Sequence, residues 1–141
     1  MSYKNTDNLT QELMSACDLD SFLSQNENNF ETVNVQDALN EIFKEKNISK
    51  AELAARAHVS EVYLHQIFSG RRTPTRDKVL CLCIALAATL DETQVVLKKS
   101  GYAQLYTKVR RDAIIMHGII NGDSVSNINN KLKENGEFLL F

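Results

Sequence analysis

The stretch SKAELAARAHVSEVYLHQIFSGRRTP, residues 49–74, decides the fold of this chain. It holds two short amphipathic segments, and a basic loop follows the second. Ser49 and Ser60 precede the two segments and are good N-cap residues, while Gly70 supplies a stop signal after the second. The stretch predicts one helix that ends near residue 57 and another that ends near residue 69, with a tight turn between them.

The composition of the two segments predicts that these helices cross closely. Ala54 is a small residue midway along the first helix, where the second must approach. The residues expected to face inward are apolar: Leu53, Val59, Leu64 and Ile67. His58 stands at the turn position where a positive φ is expected and glycine is usual. The pattern favours a helix-turn-helix, whose second helix projects from the surface.

Composition around this stretch indicates one all-α protein. The chain has 141 residues, of which 43% are hydrophobic and 24% charged, with a single proline. The longest apolar run, 79–88, is too short to span a membrane and predicts a buried central helix. The N-terminus lacks the apolar core of a signal peptide, so we expect a cytoplasmic protein without a membrane partner. In that compartment Cys17, Cys81 and Cys83 are expected to be buried, reduced thiols.

Charge is distributed unevenly along the chain. Residues 1–34 carry one basic and six acidic side chains, whereas residues 35–88 carry eight basic and six acidic ones. We expect residues 1–34 to form an acidic N-terminal segment of one or two short helices and a linker that starts near 24–29. The helix-turn-helix domain is expected at 35–105, and a C-terminal helical extension packed on it at 106–141.

The C-terminal half contains an internal repeat. Residues 76–105 align with residues 111–140 without a gap, and seven of the thirty positions are identical, among them the Arg-Asp pair that opens each copy. Each copy predicts a helix, a short turn, a second helix, a glycine cap and a leucine that packs back. Two such copies can bury each other's apolar faces. Chance similarity between two amphipathic helix pairs is the alternative explanation.

Catalytic and metal-binding patterns are missing from the sequence. Cys81-x-Cys83 lies in an apolar helix with no second cysteine pair, which favours structural thiols over a metal site. The three histidines lie on separate predicted helices, and no nucleophile–base spacing or glycine-rich phosphate loop occurs. We therefore predict a protein that is not an enzyme and uses no metal or cofactor.

With these residues in place, the chain resembles the phage-repressor family of helix-turn-helix domains (Cro and lambda-repressor-like, or XRE-type). The resemblance covers about residues 35–90 and rests on these residues: Ile48 to Ala54, Val59, Ser60, Leu64, Ile67, Gly70 and the run 71–87. The whole pattern is similar to small regulator-like proteins of Gram-positive bacteria. It implies a lambda-repressor-like bundle that binds double-stranded DNA.

The resemblance also implies which residues contact DNA. Base edges are expected at Glu61, Val62 and Gln66, and His65 joins them if its side chain faces the groove. Phosphates are expected to be contacted by the start of the first helix and by the loop after the second: Lys50, Ser69, Arg71, Arg72 and Thr73. From the residues alone we add Ser60, which directs helix N–H groups toward a phosphate, and Arg76, from the densest basic cluster.

Two classes of function follow as hypotheses. The first is a sequence-specific transcriptional regulator that inserts helix 60–69 into the major groove, as a homodimer that binds two half-sites. The second is an adaptor that holds a protein partner through residues 1–34 or through the apolar C-terminus, Phe138 to Phe141. In a variant of the first, the acidic N-terminal segment inhibits DNA binding. We expect the C-terminal side chains to pack onto the repeat; a dimer interface is the alternative.

Overall fold

The computed structural model describes residues 5–29 and 34–141, which form α-helices, turns and one short 3-10 helix. No strand occurs among these residues, and the predicted all-α class is confirmed. The chain divides into two compact units, residues 1–32 and 33–141. In the described part, no helix is both long and apolar enough to cross a membrane.

The first unit contains two short helices. Asn5 caps α1 (Thr6–Ser15) and Asp18 caps α2 (Leu19–Gln25), and the 3-10 helix Glu27–Asn29 follows. The expectation that the linker starts at 24–29 is wrong, since helical structure continues through most of that tract. Residues 30–33, which complete the predicted linker, lie outside the described residues. Cys17 is exposed in this unit, contrary to our expectation of a buried thiol.

The second unit begins with five helices. Their bounds are α3 (Val35–Glu45), α4 (Lys50–Ala57), α5 (Glu61–Phe68), α6 (Arg76–Ala85) and α7 (Leu90–Lys99). Helix α6 is the predicted central helix, and every residue from Val79 to Ala85 is buried because other helices cover it on all sides. The bundle is therefore built around α6, with α4 packed directly against it.

Serine and threonine caps fix where these helices start. Ser49 Oγ accepts a hydrogen bond from the Glu52 backbone N–H at 3.1 Å, as expected of an N-cap. The Glu52 carboxylate pairs with Arg56 rather than with the Ser49 backbone, so the reciprocal capping box that the spacing of Ser49 and Glu52 allows is only half formed. A complete box occurs instead at Thr89, whose side chain and backbone both bond to Glu92.

The predicted repeat is confirmed as a structural duplication. Helices α8 (Arg110–Ile120) and α9 (Val125–Glu134) follow α6 and α7 at an offset of about 35 residues, as the alignment requires. Gly101 and Gly136 both have positive φ after the second helix of their copy. Leu105 and Leu140 then pack back into one core that both copies share.

Two reciprocal ion pairs join the copies. Arg76 donates to the Asp112 carboxylate at 3.2 and 3.4 Å, and Arg111 donates to the Asp77 carboxylate at 3.0 and 3.2 Å. Each arginine also donates to two backbone carbonyls in the tail of its own copy. The identical Arg-Asp pairs of the sequence thus lie together, each arginine on the aspartate of the other copy.

Side-chain amides hold the end of each copy in place. Gln94 Oε1 accepts from the Leu105 N–H at 2.7 Å, and its Nε2 donates to the Leu105 carbonyl at 2.8 Å. At the equivalent position, Asn129 Oδ1 accepts from the Leu140 N–H at 2.6 Å. These bonds satisfy backbone groups that no helix pairs, and so fix the returning chain against its own helix pair.

Ala87 provides a test of the duplication. It has φ +55° at the turn between α6 and α7, whereas the equivalent turn of the second copy has Gly122 at φ +72°. Replacing Ala87 by glycine is expected to raise the free energy of unfolding by about 0.5 kcal/mol. Glycine adopts this conformation without the Cβ clash, and this gain exceeds the entropy that glycine loses on folding. Urea denaturation followed by far-UV circular dichroism measures the change.

The matched control is Gly122→Ala. A Cβ at Gly122 would meet no atom within 4 Å, so any loss of stability there comes from backbone conformation alone. We expect the two substitutions to shift stability in opposite directions. A destabilising Ala87→Gly would contradict the strain assigned to this turn.

Candidate nucleic-acid interface

Helix α5 has one buried and one outward face. Leu64 and Ile67 are completely buried against the bundle, and the Ser60 side chain caps the helix by accepting from the Tyr63 N–H at 3.0 Å. The residues predicted to meet base edges share the opposite face: Glu61, Val62, His65 and Gln66. Of these, Val62 is 67% exposed although apolar. Glu61, Val62 and His65 are exposed on this face, and Gln66 is half-buried at its edge.

The loop after α5 is tightly folded and exposed. Ser69 Oγ donates to the Gln66 carbonyl, and the Arg72 N–H bonds to the same carbonyl at 3.1 Å. Gly70 has φ +81°, and a Cβ there would come within 2.3 Å of Oε1 of Gln36 at the start of α3. The positive φ favours glycine here, whereas the flexible Gln36 side chain could move away from a Cβ. The loop that presents Arg71 and Arg72 lies beside the start of α3.

Two aromatic side chains of α5 hold cations beside the helix. The Lys50 Nζ lies 5.6 Å from the centre of the Phe68 ring, and the Arg72 guanidinium lies 5.5 Å from the centre of the Tyr63 ring. Burial raises the pKa of Tyr63, while the nearby Arg72 charge opposes that shift. The phenol therefore stays neutral at physiological pH. Cation–π contacts of this kind limit side-chain freedom before any ligand binds.

Several polar groups of this surface are uncommitted. The side chains of Glu61, Gln66 and Arg71 form no hydrogen bond or ion pair with any described residue. Lys78 is likewise unpaired within residues 5–29 and 34–141. An amide without a partner on an exposed helix face, next to free cations, can bind an external polar ligand without first breaking an internal bond.

Arg76 differs from the other predicted phosphate contacts. Its guanidinium is occupied by Asp112 and by the carbonyls of Ala103 and Gln104. Using it for a phosphate would break the reciprocal ion pair between the two helix pairs. We do not include Arg76 in the interface proposed below for that reason.

The turn between α4 and α5 has the predicted left-handed residue. His58 adopts φ +59° and ψ +40°, and the Val59 N–H returns to the Ala54 carbonyl at 3.0 Å. Histidine tolerates this conformation at a cost of roughly 1–2 kcal/mol relative to glycine. Ala54 and Leu53 are buried where the helices cross, as the sequence predicts.

Part of the chain is similar to a known kind of domain. Residues 41–96 match the family model of the helix-turn-helix domain. The match covers less than half of the chain and runs from within α3 to within α7, so this region is similar to helix-turn-helix domains. No curated protein and no solved structure matches the chain significantly. The match does not distinguish phage-repressor-like domains from other helix-turn-helix domains, so that grouping stays a prediction.

Cys81 and Cys83 are buried in α6. Burial raises the pKa of Cys81 to about 11 and that of Cys83 to about 12, so both remain protonated at neutral pH. Neither is therefore a thiolate nucleophile. No group of three or more possible metal ligands is found within the described ranges.

Sequence analysis missed three contributors to the surface around the helix-turn-helix. The sequence gives no reason to group Tyr63 and Phe68 with the basic residues, and only the structure shows that their rings lie beside Arg72 and Lys50. Gln36 lies some thirty residues before Gly70 in the chain, so its contact could not be predicted from local pattern. A search for cations placed to reach aromatic residues of the exposed helix would have suggested the first two.

Proposed function

We propose that this chain is a sequence-specific DNA-binding transcriptional regulator of the phage-repressor-like kind, with α5 as its recognition helix in the major groove. One observation carries the proposal: the outward face of α5 is exposed and uncommitted, and Lys50 and Arg72 are held beside it by rings of the same helix. A helix flanked by preorganised cations fits a groove between two phosphate backbones. The proposal includes a cytoplasmic location, because a regulator of this kind must reach the DNA.

The chemistry of the outward face suits particular base edges. The Gln66 amide can bond to N6 and N7 of adenine in a bidentate manner, and the Val62 methyl groups can contact the methyl of thymine. Glu61 can accept from N4 of cytosine, and His65 extends the same surface. These four residues are the proposed base contacts.

The proposed phosphate contacts surround that face. Lys50, Arg71 and Arg72 supply charge, while the hydroxyls or backbone N–H groups of the remaining residues supply uncharged donors: Ser60, Ser69 and Thr73. Three cations imply that log K falls with log salt concentration with a slope of about −3. Residues 35–88 have a surplus of only two positive charges, so non-specific binding is expected to be weak.

A dimer is part of the proposal. Two recognition helices related by a twofold axis would bind half-sites about one helical turn apart, and twofold dimers are the commonest oligomers. An adaptor role on the same scaffold is the alternative function. It is favoured by Leu13 and Met14, which are 51% and 82% exposed on the acidic helix α1.

Two substitutions separate base contacts from phosphate contacts. Binding to a fragment selected from a genomic library at low salt is measured by fluorescence anisotropy as salt is raised. Arg71→Ala is expected to weaken binding to all sequences about equally and to make the salt slope smaller by about 1. Gln66→Ala is expected to relax discrimination at one base pair, by roughly fivefold to a hundredfold, and to leave the salt slope unchanged.

Lys133→Ala is the matched control for the loss of charge. Lys133 is exposed near the end of α9 and has no ion pair with the described residues. If Arg71→Ala and Lys133→Ala weaken binding equally, the loop after α5 does not supply the phosphate contacts. If no fragment is retained by the unmodified protein even at low salt, the regulator proposal is wrong and the adaptor alternative is preferred.

A further inference from the structure

The turn of the helix-turn-helix is held by the second helix pair. The His58 ring stacks on the Phe141 ring, with centroids 4.1 Å apart and planes inclined by 9°. Its Nε2 lies 2.9 Å from the Ser126 Oγ, which is a hydrogen-bond distance. Ser126 lies in the first turn of α9, so two contacts from outside the helix-turn-helix meet at one residue of its turn.

Phe141 is itself fixed in place. Asn129 Nδ2 donates to the backbone oxygen of Phe141 at 3.3 Å, and Asn129 Oδ1 accepts from the neighbouring Leu140 N–H at 2.6 Å. Leu140 is buried in the shared core. The ring that stacks on His58 is therefore connected to α9 through backbone bonds and a buried anchor.

This arrangement explains why a strained histidine occupies the turn. Glycine would adopt φ +59° without strain, but it would offer no ring to stack and no nitrogen to bond. Ala87 has a similar φ at the turn between α6 and α7, but alanine has no ring to stack and no side-chain nitrogen to bond. A strained backbone conformation at a residue that also makes specific side-chain contacts indicates that these contacts have a function.

We propose that His58, Ser126 and Phe141 are positioning residues that set the orientation of α5 for base recognition. The inference rests on the proposed function. Helix α5 packs mainly on α3 and α4, and its connection to α4 passes through His58, so the turn sets the direction in which α5 leaves the body. Base-edge hydrogen bonds tolerate little misplacement, whereas phosphate contacts by flexible cations tolerate more. Segment 125–141 thereby acts on sequence discrimination without contacting DNA.

Phe141→Ala is the direct test, and Phe138→Ala is its matched control. Both remove an exposed phenylalanine from the same tail, but Phe138 is 88% exposed and its ring makes no aromatic contact with the described residues. The ratio of specific to non-specific DNA affinity is expected to fall about tenfold in Phe141→Ala and to stay unchanged in Phe138→Ala. Non-specific affinity and its salt slope are expected to remain at the values of the unmodified protein. Phe141→Tyr, which keeps the stack, is expected to restore the ratio.

His58→Gly separates orientation from stability. Glycine relieves the backbone strain and loses both side-chain contacts, so thermal stability is expected to stay the same or rise while discrimination falls as in Phe141→Ala. Combining the two substitutions is expected to add nothing further. Discrimination that follows thermal stability across these variants would show a merely structural role and overturn the proposal.

Amide hydrogen exchange tests the inference without DNA. Exchange of the Val59 N–H, which bonds across the turn, is expected to be about tenfold faster in Phe141→Ala than in the unmodified protein and unchanged in Phe138→Ala. Unchanged exchange in Phe141→Ala would overturn the positioning role. If exchange is faster in Phe141→Ala but the protein binds no DNA, Phe141 still holds the turn and only the proposed function is wrong. The two failures are therefore distinguishable.

Discussion

Replacing Asp112 by alanine is expected to lower the free energy of unfolding by about 3 kcal/mol. Asp112 is buried, accepts two bonds from the Arg76 guanidinium and accepts the Tyr106 N–H at 3.0 Å. Alanine would leave a partly buried guanidinium without its counter-charge and a backbone donor without an acceptor. Urea denaturation of the purified protein, monitored by far-UV circular dichroism, measures the loss.

The second ion pair of the duplication provides the control. Asp77 occupies the equivalent position, but its side chain is 38% exposed, against 8% for Asp112. Asp77→Ala is therefore expected to cost only about 1 kcal/mol, since water can replace part of what is lost. Asp112→Asn, which keeps the acceptor oxygen, should fall between the two. Equal losses at Asp112 and Asp77 would show that burial does not set the strength of these pairs.

Gly118→Ala is expected to destabilise the protein by more than 2 kcal/mol, although alanine favours helices. A Cβ at Gly118 would lie 2.3 Å from Cγ1 and 2.7 Å from Cδ1 of Ile128, which is completely buried in α9. Isoleucine is stiff at this branch, so α8 and α9 would have to separate. The overpacking outweighs the gain in helix propensity of about 1 kcal/mol. Thermal and urea denaturation both report the change.

A double-mutant cycle identifies the cause. Ile128→Ala alone creates a cavity and costs roughly 2–5 kcal/mol, but it also frees the space that the new methyl group needs. Gly118→Ala in that background is expected to be neutral or stabilising, so the two effects are far from additive. Additive losses would mean that the close approach of α8 and α9 does not require glycine.

Most of the secondary structure could be predicted from the local sequence pattern, because caps, turns and helix faces depend on residues close together in the chain. Ser49 and Ser60 cap helices that begin where expected, and Gly70 and His58 take the left-handed conformations that the turns need. The first unit was predicted less well. The polar tract 24–29 resembles a linker, yet α2 and a 3-10 helix continue into it.

The contacts of the C-terminal tail could not be predicted from the sequence pattern. Phe138 to Phe141 is uniformly apolar, and we expected these side chains to pack onto the repeat. Leu140 does so, but Phe138 is exposed and Phe141 stacks on a turn 83 residues earlier in the sequence. Apolar character predicts that a residue favours contact; it does not predict which distant side chain provides it.

By itself, the sequence determined the helix order, the two left-handed turns, the glycine loop after α5 and the 35-residue duplication, since all of these follow from short-range spacing. Only the tertiary structure decided the partners of the charged and aromatic groups. It assigned Arg76 to Asp112 and away from the exposed surface, Lys50 and Arg72 to rings of α5, and Phe141 to His58. The physical reason is that charge and apolar area act at distances of a few ångströms in space, and many arrangements of the same helices would satisfy the same local pattern.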